Sequence, residues 1–259
     1  MVSKNFLNSL GKGIKVLETF SATDHNLSIV EIAKKVSLQK ATVYRIVFTL
    51  KELGYLKYDS SNHKYFLGPK VLSLGFSTIR NMKISEIAHP YLRKLYKRSG
   101  QTVALGVLDG REIVYIDRFQ KEQILNINLH IGNRLPAYNS SIGRAILAFL
   151  PQDDYEVTLR KLLEDKNILF SIGKNGKKLA KILRDVRKVG YAIDDQEYVI
   201  GLRAIAAPIF GLEGKVRGAV NIPVLTAYVS MKELIEKYTP MLLETSREIS
   251  AMIGYDIKA

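Results

Sequence analysis

The chain has 259 residues, 47% hydrophobic and 25% charged, with no cysteine and a formal net charge of +14. That composition is ordinary for a globular protein; it excludes disulfides, thiol catalysis and zinc–thiolate sites, and its basic excess asks for a polyanionic partner. No apolar run of about 18 residues or more is present, and the N-terminus lacks an uninterrupted apolar core, so neither a transmembrane helix nor a signal peptide is expected and a cytoplasmic address is the simplest fit.

Residues 11–22 form the first expected helix, with Ile14, Val16, Leu17 and Phe20 on one side. Gly11-Lys12-Gly13 lacks the glycine spacing and Lys-Ser/Thr ending of a phosphate-binding loop. The stretch from 28 to 54 then reads as two short helices joined by a tight turn. Ser28 followed three residues later by Glu31 is a capping-box signature, and Ile29, Ile32, Ala33 and Val36 make one apolar face. A second helix is expected from about Gln39, burying Val43, Ile46, Val47 and Leu50 and stopping at Gly54. Alone, this is also the pattern of an ordinary αα-hairpin in a core. The strand-like runs 55–58 and 64–67 around a polar turn add a β-hairpin, and the sum is a winged helix-turn-helix. Residues 1–80 hold 12 Lys+Arg against 5 acids, while the remaining residues hold 27 against 20, so the first third carries half the basic excess. That distribution suits a nucleic-acid-binding module.

Gly68-Pro69 marks a break, after which a linking helix is expected over 70–80 and another over 83–98; the domain boundary falls near 78–83. From Gln101 the pattern changes to strands. Runs 102–108 and 112–116 flank Asp109-Gly110, a strong hairpin signal, and 124–131 partly alternates as a half-buried strand. Helices are expected near 141–150, 153–163 and 176–189, with Gly190 as a cap. Strands follow near 191–193, 204–210 and 215–224, and a closing helix over 231–253. Antiparallel hairpins interrupted by helices give an α+β class, one sheet covered by helices.

Chemistry is sparse. The four histidines are far apart, and without cysteine a metal site would have to be assembled across the fold. No nucleophile elbow is present. Ser140-Ser141 read as a helix N-cap rather than a nucleophile, and Asp194-Asp195 with Glu197 as a polar turn rather than an acid cluster. No metal, cofactor or catalytic residue is expected. Polar groups do recur at the ends of apolar elements, at 138–144, 194–203 and 220–223. Asn221 within an apolar strand needs a partner, which a bound ligand or the backbone can supply.

These blocks, in this order, resemble the IclR family of transcriptional regulators over nearly the whole chain. The likeness is carried by VLETF (16–20), LSIVEIAKKVSLQKATVYRIVFTLKELGYL (27–56), YFLGPKVLSLG (65–75), VALGVLDGREIVYIDR (103–118), IGNRLPAYNSSIGRAILAFLP (131–151), VGYAIDDQEYVIGLRAIAAPIF (189–210) and GKVRGAVNI (214–222). The resemblance implies a winged helix-turn-helix and linker helix in residues 1–80. It also implies a GAF/profilin-like effector-binding and oligomerisation domain in 81–259. It places the recognition helix at 39–53, with Gln39, Lys40, Thr42, Tyr44 and Arg45 at the front, flanked by Ser28 and the wing residues Lys57 and Lys64. It places the effector pocket on Ser140, Ser141 and Ile142, continuing through Asp194, Ala204, Asn221 and Pro223. Three departures bear on the ligand. Ala204, Asn221 and Pro223 stand where the family often has a cysteine and serines, which lessens the polar grip on a carboxylate. Ser141 and Ile142 replace small residues, and Arg144 replaces the usual lysine. The expected protein is a ligand-responsive, sequence-specific DNA-binding regulator, a repressor acting as a homodimer or dimer of dimers on a pseudo-palindromic operator in double-stranded DNA. A small organic acid or aromatic molecule is the expected effector. The rival readings are a sequence-independent architectural DNA binder and a small-molecule enzyme.

Overall fold

The computed structural model describes residues 6–21, 24–74, 83–121, 130–165 and 168–255, and the chain divides into two compact units, Met1–Asn81 and Met82–Ala259. The first unit holds three helices, α1 (Asn8–Leu17), α2 (Ile29–Val36) and α3 (Lys40–Glu52), and a hairpin of β1 (Leu56–Asp59) and β2 (Lys64–Leu67). Val16, Phe20, Leu27, Ile32, Ala33, Val43, Val47 and Leu56 form its core. Helix α1 begins and ends earlier than its apolar spacing predicts. Its last turn is closed by the Thr19 hydroxyl, which donates to the Val16 carbonyl at 2.7 Å, and Ile14 is exposed rather than packed. The hairpin is stitched to the segment before α2 by reciprocal backbone bonds between Leu27 and Tyr65 at 3.0 and 2.8 Å. Residues 70–74 are helical; the rest of the expected linking helix lies outside the described residues.

The second unit opens with α4 (Lys83–Ser99), which runs through Pro90. Strands β3 (Val103–Asp109), β4 (Glu112–Phe119), β5 (Arg134–Pro136), β6 (Ala192–Asp195), β7 (Leu202–Phe210) and β8 (Val216–Leu225) make one antiparallel sheet in the order β5-β4-β3-β8-β7-β6. Between β5 and β6 lie α5 (Ser141–Leu147), α6 (Gln152–Leu163), α7 (Leu169–Ile172) and α8 (Lys177–Val189). The predicted strand at 124–131 falls mostly outside the described residues; β5 and α7 are additions that no periodicity announces, being three and four residues long.

The C-terminal helix has three parts. An α-turn at Met231–Glu233 is followed by a π-type turn at Leu234–Tyr238 and then by α9 (Thr239–Met252). Pro240 is the local cause, because a proline ring clashes with the carbonyl one α-turn earlier and has no N–H to offer it. The widened turn is satisfied at Leu234, whose carbonyl accepts both the Thr239 N–H and, at 3.1 Å, the Thr239 hydroxyl.

One face of the sheet packs with α4 and α9 through Val103, Leu105, Ile205, Ala207, Ile209, Val220, Ile222 and Val224. The other receives α5 and α8 on Ala104, Ile113, Tyr115, Ala192, Ala206 and Ala219. A bulge in β4 disturbs the alternation: Leu105 and Gly106 of β3 face Asp117 and Tyr115, leaving Ile116 as the extra residue. Asp117 is thereby delivered to the α4 side, where its Oδ2 lies 2.8 Å from His89 Nδ1. Arg118, opposite Ala104, is delivered to the α5 side.

Candidate functional site

The first unit's candidate surface is built on a capped helix pair. The Ser28 hydroxyl accepts the Glu31 N–H at 3.3 Å, and the Glu31 carboxylate accepts the Ser28 N–H at 2.7 Å, the reciprocal capping box. These bonds hold the Glu31 carboxyl below its usual range. Ser37 ends α2 in the left-handed region at φ 54°, which turns the chain sharply into α3. Gln39 is the N-cap of α3 rather than a residue within it, and its side chain makes no capping bond. Val43 and Val47 anchor α3 in the core, which leaves Gln39, Lys40, Tyr44 and Arg45 exposed and Thr42 half-buried. Among the described residues Lys40, Arg45 and the wing's Lys57 make no ion pair. Ser28 and Lys64 are differently placed. Ser28 serves the cap, and Lys64 Nζ reaches Glu31 at 3.4 Å.

In the second unit the sheet register gathers the candidate effector residues. Asp194 of β6 faces Ala204 of β7, which faces Pro223 of β8. One row along, Asn221 sits between Ala206 and Ala104, with Arg118 beyond Ala104. Helix α5 starts over these rows, capped by the Ser140 hydroxyl, which accepts the Gly143 N–H at 3.2 Å. A Cβ at Gly143 would lie 2.1 Å from the Ala137 carbonyl oxygen, so the helix approaches the preceding segment at backbone distance. Ser141 is buried. Ile142 is committed to the core over Gly106 of β3, where a Cβ would sit 3.0 Å from the Ile142 Cγ2.

Several groups beside these residues are not evident from sequence. Arg144, 4% exposed, clamps Glu197 with two bonds of 2.5 and 2.7 Å and donates to the Tyr138 carbonyl at 2.9 Å and the Ile193 carbonyl at 3.4 Å. Its hydrogen bonds hold the Glu197 carboxyl below its ordinary range. Asp194 accepts the Glu197 N–H at 2.9 Å, yet burial outweighs that bond and pushes its carboxyl upward. Asp195 pairs with Arg203 at 2.7 Å. Asp194 and Asp195 thus close strand β6 rather than lying in the expected polar turn, which holds Glu197, and each of the three acids has its own internal partner. Tyr115 is buried against Asn221; desolvation pushes its phenol up to about 12, against the hydrogen bond from the Asn221 amide. Among the described residues the buried Asn221 Oδ1 has no hydrogen-bond partner. The sequence-level signal for Arg144 and Glu197 is weak, and that for Tyr115 and Arg118 is hidden by the β4 bulge.

The comparisons with known proteins agree over both units. A family model described as bacterial transcriptional regulator IclR C-terminal matches residues 76–251, and one described as IclR helix-turn-helix domain matches residues 9–60. The chain is 31% identical over 255 residues to the Pca regulon regulatory protein of Pseudomonas putida, covering 95% of this chain and 84% of that protein. The crystal structure of the Thermotoga maritima IclR is 31% identical with a TM-score of 0.74, covering 96% of this chain and 100% of that one. An IclR homologue from Microbacterium hydrocarbonoxydans, solved with 4-hydroxybenzoate, shares the fold at a TM-score of 0.78 and 22% identity, covering 95% of this chain and 99% of that one.

Proposed function

The chain belongs to the IclR family of transcriptional regulators, and from that premise we propose how its residues divide the work. It is a ligand-responsive DNA-binding regulator and not an enzyme. Residues 1–80 are the DNA-binding domain with its linker, and 81–259 bind the effector and oligomerise. Helix α3 enters the major groove, where Gln39 bonds adenine in a bidentate manner and Arg45 takes a guanine or a phosphate. Lys40, Thr42, Tyr44 and Lys57 complete the interface; Ser28 and Lys64 add to it from the capped corner and the wing. A homodimer or dimer of dimers places these helices in half-sites about 34 Å apart, or a multiple of that, on a pseudo-palindrome.

The effector is a small organic acid or aromatic molecule held at Ser140, Ser141, Asp194 and Asn221, between apolar walls of Ile142, Ala204 and Pro223. It acts by binding one state of the protein better than the other, and the protein represses until it binds. The address is cytoplasmic. The observation that carries the reading is the front of α3, whose cations are exposed beside a wing and, among the described residues, unclaimed by any acid.

Selection of bound genomic fragments, then titration of the best fragment against a scrambled one at fixed salt, tests it. A clear preference for a pseudo-palindrome supports the reading. Equal affinity for both, falling steeply with salt, leaves an architectural DNA binder instead. Arg45→Ala is expected to weaken operator binding by about 1–3 kcal/mol without moving the unfolding midpoint. Unchanged affinity at matched salt removes Arg45 from the DNA-reading residues.

A further inference from the structure

Beyond the recognition helix, residues 81–259 carry 27 Lys+Arg against 20 acids, an excess of seven. Helix α8, KKLAKILRDVRKV, holds six cations and one acid, so a net five of those seven charges stand on one helix. We propose that α8 is a second, sequence-independent DNA-binding surface on which Lys177, Lys181, Arg184 and Lys188 hold the phosphate backbone of a duplex.

The geometry is specific. At 3.6 residues per turn the four cations fall within a wedge of about 60°, opposite the buried Leu179, Leu183 and Val186. All four are exposed. The stripe runs about 16 Å along the helix, a length over which a duplex carries about ten phosphate charges. Among the described residues Lys177, Lys181 and Arg184 make no ion pair, and Lys188 has only the exposed Asp185 at 3.4 Å. Arg187 turns aside to donate to the Ala148 carbonyl.

The stripe also works against its own helix. Lys177/Lys181, Lys181/Arg184 and Arg184/Lys188 are like-charge neighbours at four- and three-residue spacing, and Lys177 with Lys178 sets positive charge in a first turn that has no acid and no side-chain cap. A polyanion laid along the stripe relieves all of these at once. A membrane surface fits poorly, because the apolar face that would enter it is already buried in the core. The choice of DNA as the polyanion rests on the regulator reading above.

The test uses the full chain with Lys177, Lys181, Arg184 and Lys188 all changed to Gln. A control variant carries the same reduction of charge at Arg93, Lys97, Arg217 and Lys232. Affinity for the selected operator with long flanks is measured across a salt series. Relieving like-charge repulsion should hold or raise the thermal midpoint of the α8 variant, which reports its folding. The expected result is a salt slope shallower by about 0.9 for each phosphate no longer neutralised, up to about 3.6 for four, with the control close to the parent. A slope equal to the parent's, or an equal change in the control, overturns the proposal. Binding of polyglutamate by the parent but not the α8 variant, with DNA slopes unchanged, also overturns it and makes the stripe a surface for acidic protein. Failure of the parent to prefer any DNA defeats the regulator reading itself, whereas preference with a slope indifferent to α8 defeats only this surface.

Discussion

On the α4 and α9 side of the sheet, strands β7 and β8 present Ile205, Ala207, Ile209, Val220, Ile222 and Val224. On the α5 and α8 side the same two strands present Ala204, Ala206, Ala219, Asn221 and Pro223. The first set fills space with branched side chains and holds two long helices. The second is made of small or polar groups, which lets α5 come close and gathers Asp194, Tyr115, Asn221 and Arg118 around its start. In the proposed reading, strength and response to the effector thus fall on opposite sides of one layer. Alternation along a strand is what makes that possible, since neighbouring residues belong to different surfaces.

The largest expected effect lies on the filled face. Ile205→Ala leaves a cavity in a fully buried position and should cost about 2–5 kcal/mol in urea unfolding; a loss below about 1 kcal/mol would show that this face is not the rigid one. On the α5 face Arg144→Met leaves the Tyr138 and Ile193 carbonyls without their side-chain donor. Because Glu197 is half exposed and can return to water, the cost should be nearer about 2 kcal/mol than the larger loss of a fully buried pair.

Two acids three residues apart then sharpen the contrast by titrating with opposite signs. Glu197, held low by Arg144, adds stability that is present above 4.5 and is lost as pH falls through its depressed folded value. Asp194, raised by burial, lowers stability at neutral pH, and that penalty fades as pH falls through its raised value toward 3.8. Acidification should therefore narrow the parent's advantage over Glu197→Gln while the parent gains on Asp194→Asn. Parallel pH profiles for the two variants would break this assignment. A smaller stability effect is expected for Asn221→Val. It removes a buried Oδ1 that lacks a partner but also the amide bonded to the buried Tyr115 hydroxyl, so stability should fall by about 1 kcal/mol while effector-dependent release of the operator is lost. Intact release with the valine variant takes Asn221 out of the pocket.

Much of this arrangement is legible from residue order alone. The capping box at Ser28 and Glu31, the buried spacing of α3 and the Asp109-Gly110 hairpin are local signals, and local physics produces them. The second unit's strands are legible as alternation, but the faces of β4 are not, because the extra residue at Ile116 swaps the sides to which Asp117 and Arg118 would otherwise point. Arg144 reads as an ordinary helix cation; only the meeting of α5 with the β6–β7 turn consumes its charge internally. Ser28 and Lys64 read as DNA-facing, and the fold shows what else they hold, since the partner of each is a residue of the same unit.

The π-type turn before α9 has a consequence for the length of the chain. A turn closed by bonds five residues apart takes in one residue more than an α-turn. Leu234–Tyr238 is therefore the place where the C-terminal helix stores a residue of slack, kept there by Pro240. Shortening the chain by one residue within that turn, with Pro240→Ala alongside, leaves a continuous helix whose two halves keep the same facing. The same deletion one turn into α9 rotates the remainder by about 100° and swings Ile249 away from the sheet. The tolerance of this helix to insertion and deletion is set by the phase of a single turn.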